Sequence, residues 1–240
     1  MTPAQRWLAS LWPFVRAELP AAPARVLEIG CGPLGGFVPG LLHGGYEAVG
    51  IDRNAPDAPG YERVDFEQHE PVEPVAAIVA SRSLHHVGDL EDVLWRAAEA
   101  LRPGGVIVVL EWAWEQFDAD TAHWCFARLD AEAEQGWLGH RRAGWADSGE
   151  AWEEYFEAWA RQHHLHRGDR IVGALDARFD RRSCTYGPYF SAEFSGITEG
   201  DEQAAIDAGE LRANGIRYVG ARRAENEIRA ARAECRCGQP

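Results

Sequence analysis

The 240-residue chain is long enough for one large domain or for one domain with an elaborated cap, because domains usually span about 50 to 250 residues. Its 38 acidic residues outnumber the 24 basic ones, which are all Arg, and the net charge of −14 disfavours nucleic acids and anionic membranes as partners. Five irregularly spaced Cys predict free thiols in a reducing compartment, by default the cytoplasm, and the lack of an apolar run of roughly 18 residues predicts a soluble protein.

The first predicted elements are a helix and a buried strand. Apolar residues recur at helical spacing from residue 3 to residue 19, where Pro13 should kink or split the helix. The apolar run over 25–29 then stops at a glycine cluster, which is typical of a buried strand followed by a tight turn. Glycine suits this turn because a residue without Cβ can adopt positive φ and lets a ligand approach the backbone closely.

The glycine cluster contains a weak motif and one informative acid. Gly30, Gly32 and Gly35 fit G-x-G-x-x-G, which alone suggests a dinucleotide site with its pyrophosphate at a helix N-terminus. Glu28 precedes the first glycine by two residues, where a phosphate-binding loop would gain nothing from another negative charge. The acid therefore favours a cationic ligand.

An acidic residue followed by Gly-x-Gly at the end of the first strand resembles the first motif of the class I S-adenosylmethionine-dependent methyltransferases. In that family the acid and the glycine turn hold the methionine part of the cofactor, so the resemblance implies that Glu28, Gly30, Cys31 and Gly32 surround it. It also implies an α/β fold: a Rossmann-like, mostly parallel seven-stranded sheet flanked by helices, with a helical cap inserted after the fifth strand. The resemblance covers residues 25 to 112.

The second and third predicted strands supply further candidates for the cofactor site. Asp52 closes the strand over 47–51, where α/β nucleotide folds place a carboxylate that binds the ribose hydroxyls about 20 residues after the glycines, and Arg53 follows it. Asp52 does not discriminate between NAD and S-adenosylmethionine. A short strand over 61–64 leads to Asp65 and Phe66, which by resemblance contact the adenine amino group and ring. A solvated carboxylate and a core ring are the alternatives for these two residues.

The continuous apolar run over 75–80 is typical of a central parallel strand. Ligands bind just outside the carboxyl ends of such strands, so we expect the next residues beside the transferable methyl group. The imidazoles there, with a pKa of about 6.5, are candidates for a general base, and one of the two could be structural. The residues that follow this strand are Ser81, Arg82, Ser83, Leu84, His85 and His86.

A second specific match to the methyltransferase family follows the next helix. Asp89 can cap the N-terminus of that helix. The phrase Leu-x-Pro-Gly-Gly over 101–105 is expected to end the helix, and an apolar strand over 106–110 follows. Glu111 lies at the carboxyl end of this strand and is the third catalytic candidate, as a proton acceptor or as a group that orients an amine. A solvated or Arg-paired acid is the alternative.

The rest of the chain predicts a cap and the last strands. Seven of the ten Trp lie between residues 112 and 159, either as aromatic walls of a pocket or as the core of cap helices. Helices are predicted over 169–179 and 201–213, and strands over 184–190 and 216–220. The predicted single domain has an N-terminal helical segment (1–22), a cofactor-binding core (23–112), a cap (113–181), the last strands (182–221) and a frayed or disordered tail (222–240).

These observations predict methyl transfer from S-adenosylmethionine to a small-molecule acceptor, with S-adenosylhomocysteine as the product. An in-line displacement needs mainly proximity, and a base only if the acceptor keeps a proton. The alternatives are an NAD-dependent oxidoreductase and a repurposed, non-catalytic cofactor-binding protein. No metal site is predicted, because His163, His164 and His166 do not converge and Cys235 and Cys237 are too few for zinc. The sequence carries no signal for an oligomeric state.

Overall fold

The computed structural model describes residues 1–69 and 73–223, whose strands form a seven-stranded sheet. The strands are β1 Arg25–Ile29, β2 Glu47–Ile51, β3 Tyr61–Glu62, β4 Val75–Ser81, β5 Leu101–Trp112, β6 Phe179–Gly187 and β7 Gly215–Arg222. Their order across the sheet is β3-β2-β1-β4-β5-β7-β6. The first five strands in this order pair in parallel, and β7 pairs antiparallel with β5 and β6. The predicted mostly parallel sheet is confirmed.

Helices cover both faces of the sheet. Alternate residues of β1 point to opposite faces: Val26 packs with α1 and α2, whereas Leu27 packs in the cluster that contains α3 and α8. Every residue of β4 is buried, as expected of a central strand. The helices are α1 Pro3–Glu18, α2 Val38–His43, α3 Leu90–Ala100, α4 Ala119–Phe126, α5 Ala131–Glu134, α6 Trp137–Ser148, α7 Trp152–Gln162, α8 Gly168–Arg178 and α9 Glu199–Asp207.

Pro13 does not split α1, which runs unbroken from Pro3 to Glu18. A proline inside a helix removes one backbone donor and leaves the carbonyl four residues earlier without its helical partner. Here both Pro13 and Ala9 are exposed, so water can bond to that carbonyl. The buried face of α1 carries Trp7, Leu11 and Val15.

The cap is built from two separate segments of the chain. Helices α4 to α7 contribute an aromatic core around Trp152 and Phe156, and residues after β6, including Phe190 and Phe194, pack into the same cluster. The prediction placed the cap only between residues 113 and 181. Helix α8, which lies in that range, packs instead against α3 beside the sheet.

Several predicted boundaries differ from the structure. The sixth strand begins at Phe179 instead of Cys184, and the following helix covers Glu199–Asp207 instead of 201–213. β6 is an edge strand whose residues are mostly exposed or half-buried, so no clear alternation of apolar and polar residues marks it. Helix α3 ends at Ala100, and β5 already includes the Leu-x-Pro-Gly-Gly phrase.

In residues 1–69 and 73–223, no helix combines the length and the apolar character that a membrane crossing requires. The predicted tail lies outside the described residues from 224 onward.

Candidate active site

The carboxyl ends of β1, β2 and β4 open into two adjoining cavities. The cap-side cavity, of about 530 Å³, is bounded by the glycine turn, α1, the cap and residues 189–193. The loop-side cavity, of about 450 Å³, is bounded by the loops after β2, β3 and β4. Gly30, Asp52, Arg82 and His86 line both, so the two cavities form one cleft. Ligands of open α/β sheets bind at this position.

The glycine turn after β1 has the backbone that the sequence predicts. Gly30 and Gly32 adopt positive φ angles of 77° and 64°. A Cβ built on Gly30 would lie 2.3 Å from the Cβ of Ser83, so only glycine fits between this turn and the loop after β4. No heavy atom of the described residues lies within 4 Å of a Cβ built on Gly32, which leaves open space at the turn.

Glu28 is buried in β1, and its two carboxylate oxygens have different surroundings. Oε2 accepts hydrogen bonds from the backbone N–H groups of Phe37 at 2.7 Å and Val38 at 3.1 Å. Oε1 is buried without a hydrogen-bond partner in the described part of the chain, although Glu28 lines the cap-side cavity. Burial raises the pKa of Glu28 to about 8, against the lowering effect of the two N–H donors. Such an oxygen can accept a bond from a cationic or proton-donating ligand group.

Asp52 is fixed across the glycine turn. Its Oδ2 accepts a hydrogen bond from the backbone N–H of Gly32 at 3.1 Å, and its Oδ1 accepts one from Asn54 at 2.7 Å. The neighbouring Cys31 is buried, and burial together with the charges of Glu28 and Asp52 raises the pKa of its thiol to about 12. The Cys31 side chain is therefore a neutral part of the wall.

Three further predicted residues line the loop-side cavity. Arg53 Nη2 lies 2.7 Å from Asp65 Oδ1, and both side chains are partly exposed. Phe66 is buried in the core beside β1 and β4, with its ring stacked on His69 at 6.2 Å between centroids. Phe66 is thus both a core residue and a wall of the cavity, so the two interpretations of this ring are compatible.

His85 and Glu111 form a buried pair beside the cap-side cavity. His85 Nδ1 lies 2.6 Å from Glu111 Oε2. Glu111 Oε1 accepts hydrogen bonds from the backbone N–H groups of Ser83 at 2.7 Å and Leu84 at 2.6 Å, and Oε2 accepts one from Trp112 at 3.0 Å. Burial raises the pKa of Glu111, but His85 and the backbone donors outweigh it, so the net pKa is lowered. Glu111 stays ionised and holds His85 with Nδ1–H directed toward it.

The three predicted catalytic candidates lie together but differ in access to the cavity. His85 lines the cap-side cavity, and within the described residues no hydrogen bond engages its Nε2. His86 lies 4.1 Å from His85 between ring centroids, and partial burial together with the proximity of His85 lowers the pKa of His86 to about 4. Glu111 is fully buried and lines neither cavity. It contacts His85 instead of a ligand, which differs from its predicted role as a proton acceptor.

Aromatic residues line much of the cap-side cavity, and the sequence indicates the tryptophans between residues 112 and 159 as possible walls but gives no such signal for Trp7, Tyr189 or Phe190. Trp7 of α1 donates its Nε1–H to Ser81 Oγ at 3.1 Å, and the Arg82 guanidinium lies 4.7 Å from the centre of the Trp7 ring. Ser83 Oγ is buried without a partner in the described residues. The other aromatic walls are Trp112, Trp137, Trp159, Tyr189 and Phe190.

Glu202 of α9 holds the segment that brings Tyr189 and Phe190 to the cavity. This fully buried carboxylate accepts hydrogen bonds from the backbone N–H groups of Tyr189 at 2.7 Å, Phe190 at 3.0 Å and Ser191 at 2.6 Å. The sequence signal for it is faint: Glu202 shares the inward face of its helix with Ala205, three residues later.

No metal-binding cluster forms within residues 1–69 and 73–223, where no group of three or more His, Cys, Asp or Glu converges. His163 and His164 are exposed, and His166 Nε2 lies 2.9 Å from the carbonyl oxygen of Val87. Cys235 and Cys237 lie outside the described residues.

The profile of the methyltransferase domain family matches residues 4–167, while none of the curated proteins matches. An S-adenosylmethionine-dependent methyltransferase from Mesorhizobium loti is 20% identical, covers 89% of this chain and 98% of its own, and has a TM-score of 0.52. Geranyl diphosphate C-methyltransferase from Streptomyces coelicolor is 14% identical, covers 91% of this chain and 80% of its own, and has a TM-score of 0.55. These two structures show the shared fold.

The family match spans more than half of the length of the chain. The chain therefore belongs to the methyltransferase domain family, as the resemblance to the class I S-adenosylmethionine-dependent methyltransferases predicts.

Proposed function

We propose that this protein transfers a methyl group from S-adenosylmethionine to a small-molecule acceptor and releases S-adenosylhomocysteine. The observation that carries the proposal is Glu28, which lines the cavity beside the glycine turn and whose buried Oε1 has no hydrogen-bond partner in the described residues. It fits the ammonium group of an amino-acid moiety. A dinucleotide would instead bring a pyrophosphate to this acid, which disfavours the NAD-dependent alternative.

The cleft offers a group for each part of the cofactor. Glu28 and the backbone from Gly30 to Gly32 suit the methionine part, and Asp52 suits the ribose hydroxyls because both of its oxygens are already fixed at the cavity wall. The loop-side cavity suits the adenine ring. When bound, the cofactor supplies an electrophilic methyl group on a sulfonium sulfur. The other residues assigned to its binding are Cys31, Arg53, Asp65, Phe66, Ser81, Arg82 and Ser83.

His85 is the general base in this proposal. Its Nδ1–H is donated to Glu111, so Nε2 carries the lone pair that accepts a proton from the acceptor. Glu111 is a positioning residue that fixes the tautomer and stabilises the imidazolium. His86, with its lowered pKa of about 4, is a weak base. This arrangement suits acceptors that carry a removable proton on oxygen or nitrogen.

A small-molecule acceptor fits the cap-side cavity, which has about 530 Å³ and mainly aromatic walls. The net charge of −14 argues against a nucleic acid in this place. One protein of similar fold, geranyl diphosphate C-methyltransferase, acts on a small molecule according to its name. The buried free thiols Cys31 and Cys125 suit a cytoplasmic location.

Calorimetric titration tests the cofactor assignment directly. S-adenosylhomocysteine should bind the folded protein, whereas NAD should not bind at the same concentrations. Binding of NAD without binding of S-adenosylhomocysteine would overturn the proposal in favour of the oxidoreductase. Transfer of a labelled methyl group to metabolites in a cell extract would separate an active enzyme from a non-catalytic binding protein.

Binding of S-adenosylhomocysteine should release a proton at pH 7. Glu28, with a pKa of about 8, is mostly protonated in the free protein, and a ligand ammonium beside Oε1 would favour its ionised form. Below pH 8 the affinity should therefore rise with pH, by up to about tenfold per unit. Calorimetry in two buffers of different ionisation enthalpy measures the released proton.

Glu28→Gln should abolish both the proton release and the pH dependence, because the amide does not titrate. Glu47→Gln, at an exposed position in β2, is the matched control and should behave as the wild type. Proton release that persists in Glu28→Gln would show that another group titrates.

A further inference from the structure

Arg82 occupies a strained position at the centre of the cleft. It follows β4 directly, and its backbone N–H donates to the carbonyl oxygen of Leu110 at 2.8 Å. Its φ of 50° lies in the left-handed region, which residues with a Cβ rarely adopt. Strain of this kind persists where the surrounding structure imposes it, and it is often found at binding sites.

The Arg82 side chain is held in place on one face. Its guanidinium lies 4.7 Å from the centre of the Trp7 ring, within the range of a cation–π contact. Trp7 is itself fixed by its hydrogen bond to Ser81 and by an edge contact with Tyr189 at 5.1 Å between centroids. The contact with the ring involves no side-chain hydrogen-bond acceptor, so the N–H groups of the guanidinium can still bind one.

No side-chain hydrogen bond or ion pair engages the Arg82 guanidinium within residues 1–69 and 73–223. Glu193 lines the same cavity but lies beyond ion-pair distance, and burial raises its pKa, against the lowering effects of Arg82 and Arg6. Arg53, the other arginine of the cleft, is paired with Asp65. Arg82 is thus the unpaired cation of the described cleft residues.

We infer that Arg82 binds the carboxylate of a ligand at the junction of the two cavities. A planar guanidinium with a free edge matches a carboxylate in bidentate geometry. Asp52 at the same junction would repel such a group, and Glu28 would also repel it once ionised, so Arg82 decides where it can lie. The inference rests on the proposed function, because the carboxylate belongs either to the amino-acid part of the cofactor or to the acceptor.

The two sources are separated by calorimetry on the wild type and on Arg82→Gln. The first arm compares S-adenosylhomocysteine with 5′-methylthioadenosine, which keeps the nucleoside and the thioether and lacks the amino acid. The second arm titrates 4-hydroxybenzoate and 4-hydroxybenzamide into protein saturated with S-adenosylhomocysteine. One of the two arms contains the carboxylate that Arg82 binds. In that arm Arg82→Gln should lower the affinity for the ligand with the carboxylate about 10- to 100-fold, and the affinity for the analogue without it should change by no more than about twofold.

Two further variants keep the result interpretable. Arg82→Lys retains the positive charge but loses the paired N–H donors of the guanidinium. Its affinity for the carboxylate ligand should lie between those of the wild type and Arg82→Gln. Arg128→Gln removes another arginine stacked on a tryptophan, 4.0 Å from the Trp124 ring and outside both cavities, and should leave every affinity unchanged. Thermal unfolding confirms that each variant is folded.

The inference is overturned if two results are found together. In the first arm, Arg82→Gln binds S-adenosylhomocysteine with the affinity of the wild type; in the second, the wild type binds 4-hydroxybenzoate no more tightly than 4-hydroxybenzamide. It is also overturned if Arg82→Gln weakens S-adenosylhomocysteine and 5′-methylthioadenosine equally. Failure of the wild type to bind S-adenosylhomocysteine would be a different result, because it would overturn the proposed function itself.

Discussion

Glu111→Gln should lower the free energy of unfolding by about 3–5 kcal/mol, among the largest effects of any single substitution in this protein. Both carboxylate oxygens of Glu111 accept hydrogen bonds from backbone N–H groups, of Ser83 and Leu84 on one side and of Trp112 on the other. A glutamine amide has one oxygen and one NH2 group. In either orientation the NH2 group opposes a buried backbone donor, which loses its acceptor. Urea denaturation measures the loss.

The effect should depend on pH in a defined direction. The pKa of Glu111 is lowered in the folded protein, so its contribution is present above the unfolded value of 4.5 and is lost as the pH falls through the folded value. The difference between the wild type and Glu111→Gln should therefore shrink on acidification below pH 4.5. Glu115→Gln is the control, because Glu115 also accepts hydrogen bonds from two backbone N–H groups but is half-exposed. This substitution should lower the free energy of unfolding by about 1 kcal/mol or less. An equal cost in the two variants would contradict the assigned role.

Gly30→Ala should weaken S-adenosylhomocysteine binding by about 100-fold or more, because a displacement of about 1 Å at a binding site can cost this much. The new Cβ would lie 2.3 Å from the Cβ of Ser83, and neither atom is the end of a flexible side chain. The turn after β1 and the loop after β4 would have to separate, and both line the cleft. Calorimetric titration of the folded variant measures the change.

Gly104→Ala distinguishes this collision from the general cost of replacing a glycine. Gly104 has a φ of 71°, close to the 77° of Gly30, but no heavy atom of the described residues lies within 4 Å of a Cβ built on Gly104. Both variants should lose about 1–2 kcal/mol of stability from the left-handed backbone. Only Gly30→Ala should bind S-adenosylhomocysteine more weakly. Unchanged binding in that variant would show that the glycine turn is not part of the cofactor site.

The parts of the fold that the sequence predicts are those with strong local signals. The apolar runs of β1 and β4 end at glycine or polar residues, so the position of Gly30 next to Ser83 follows from their parallel pairing. The resemblance adds the seven strands and their mostly parallel pairing. Which residues bind a ligand stays a proposal.

The features that the sequence does not predict depend on contacts between distant segments. Trp7 reaches the cleft from α1 because it packs beside Ser81, and its helical spacing alone indicates only a buried face. Glu202 lies among good helix formers, and its three backbone donors come from 11 to 13 residues earlier in the chain. The pairing of His85 with Glu111 joins the ends of two strands, a relation that no local pattern encodes.

The position of β7 between β5 and β6 has a consequence for synthesis on the ribosome. β6 pairs with β7 and has no other neighbour among the described strands. Residues 179–187 therefore leave the exit tunnel before the strand with which they pair, and β5 carries an open edge during the same interval. Unpaired strand edges attract other chains, so the nascent protein is exposed to aggregation during this interval. Closure of the sheet by residues 215–222 is necessarily a late event in biogenesis.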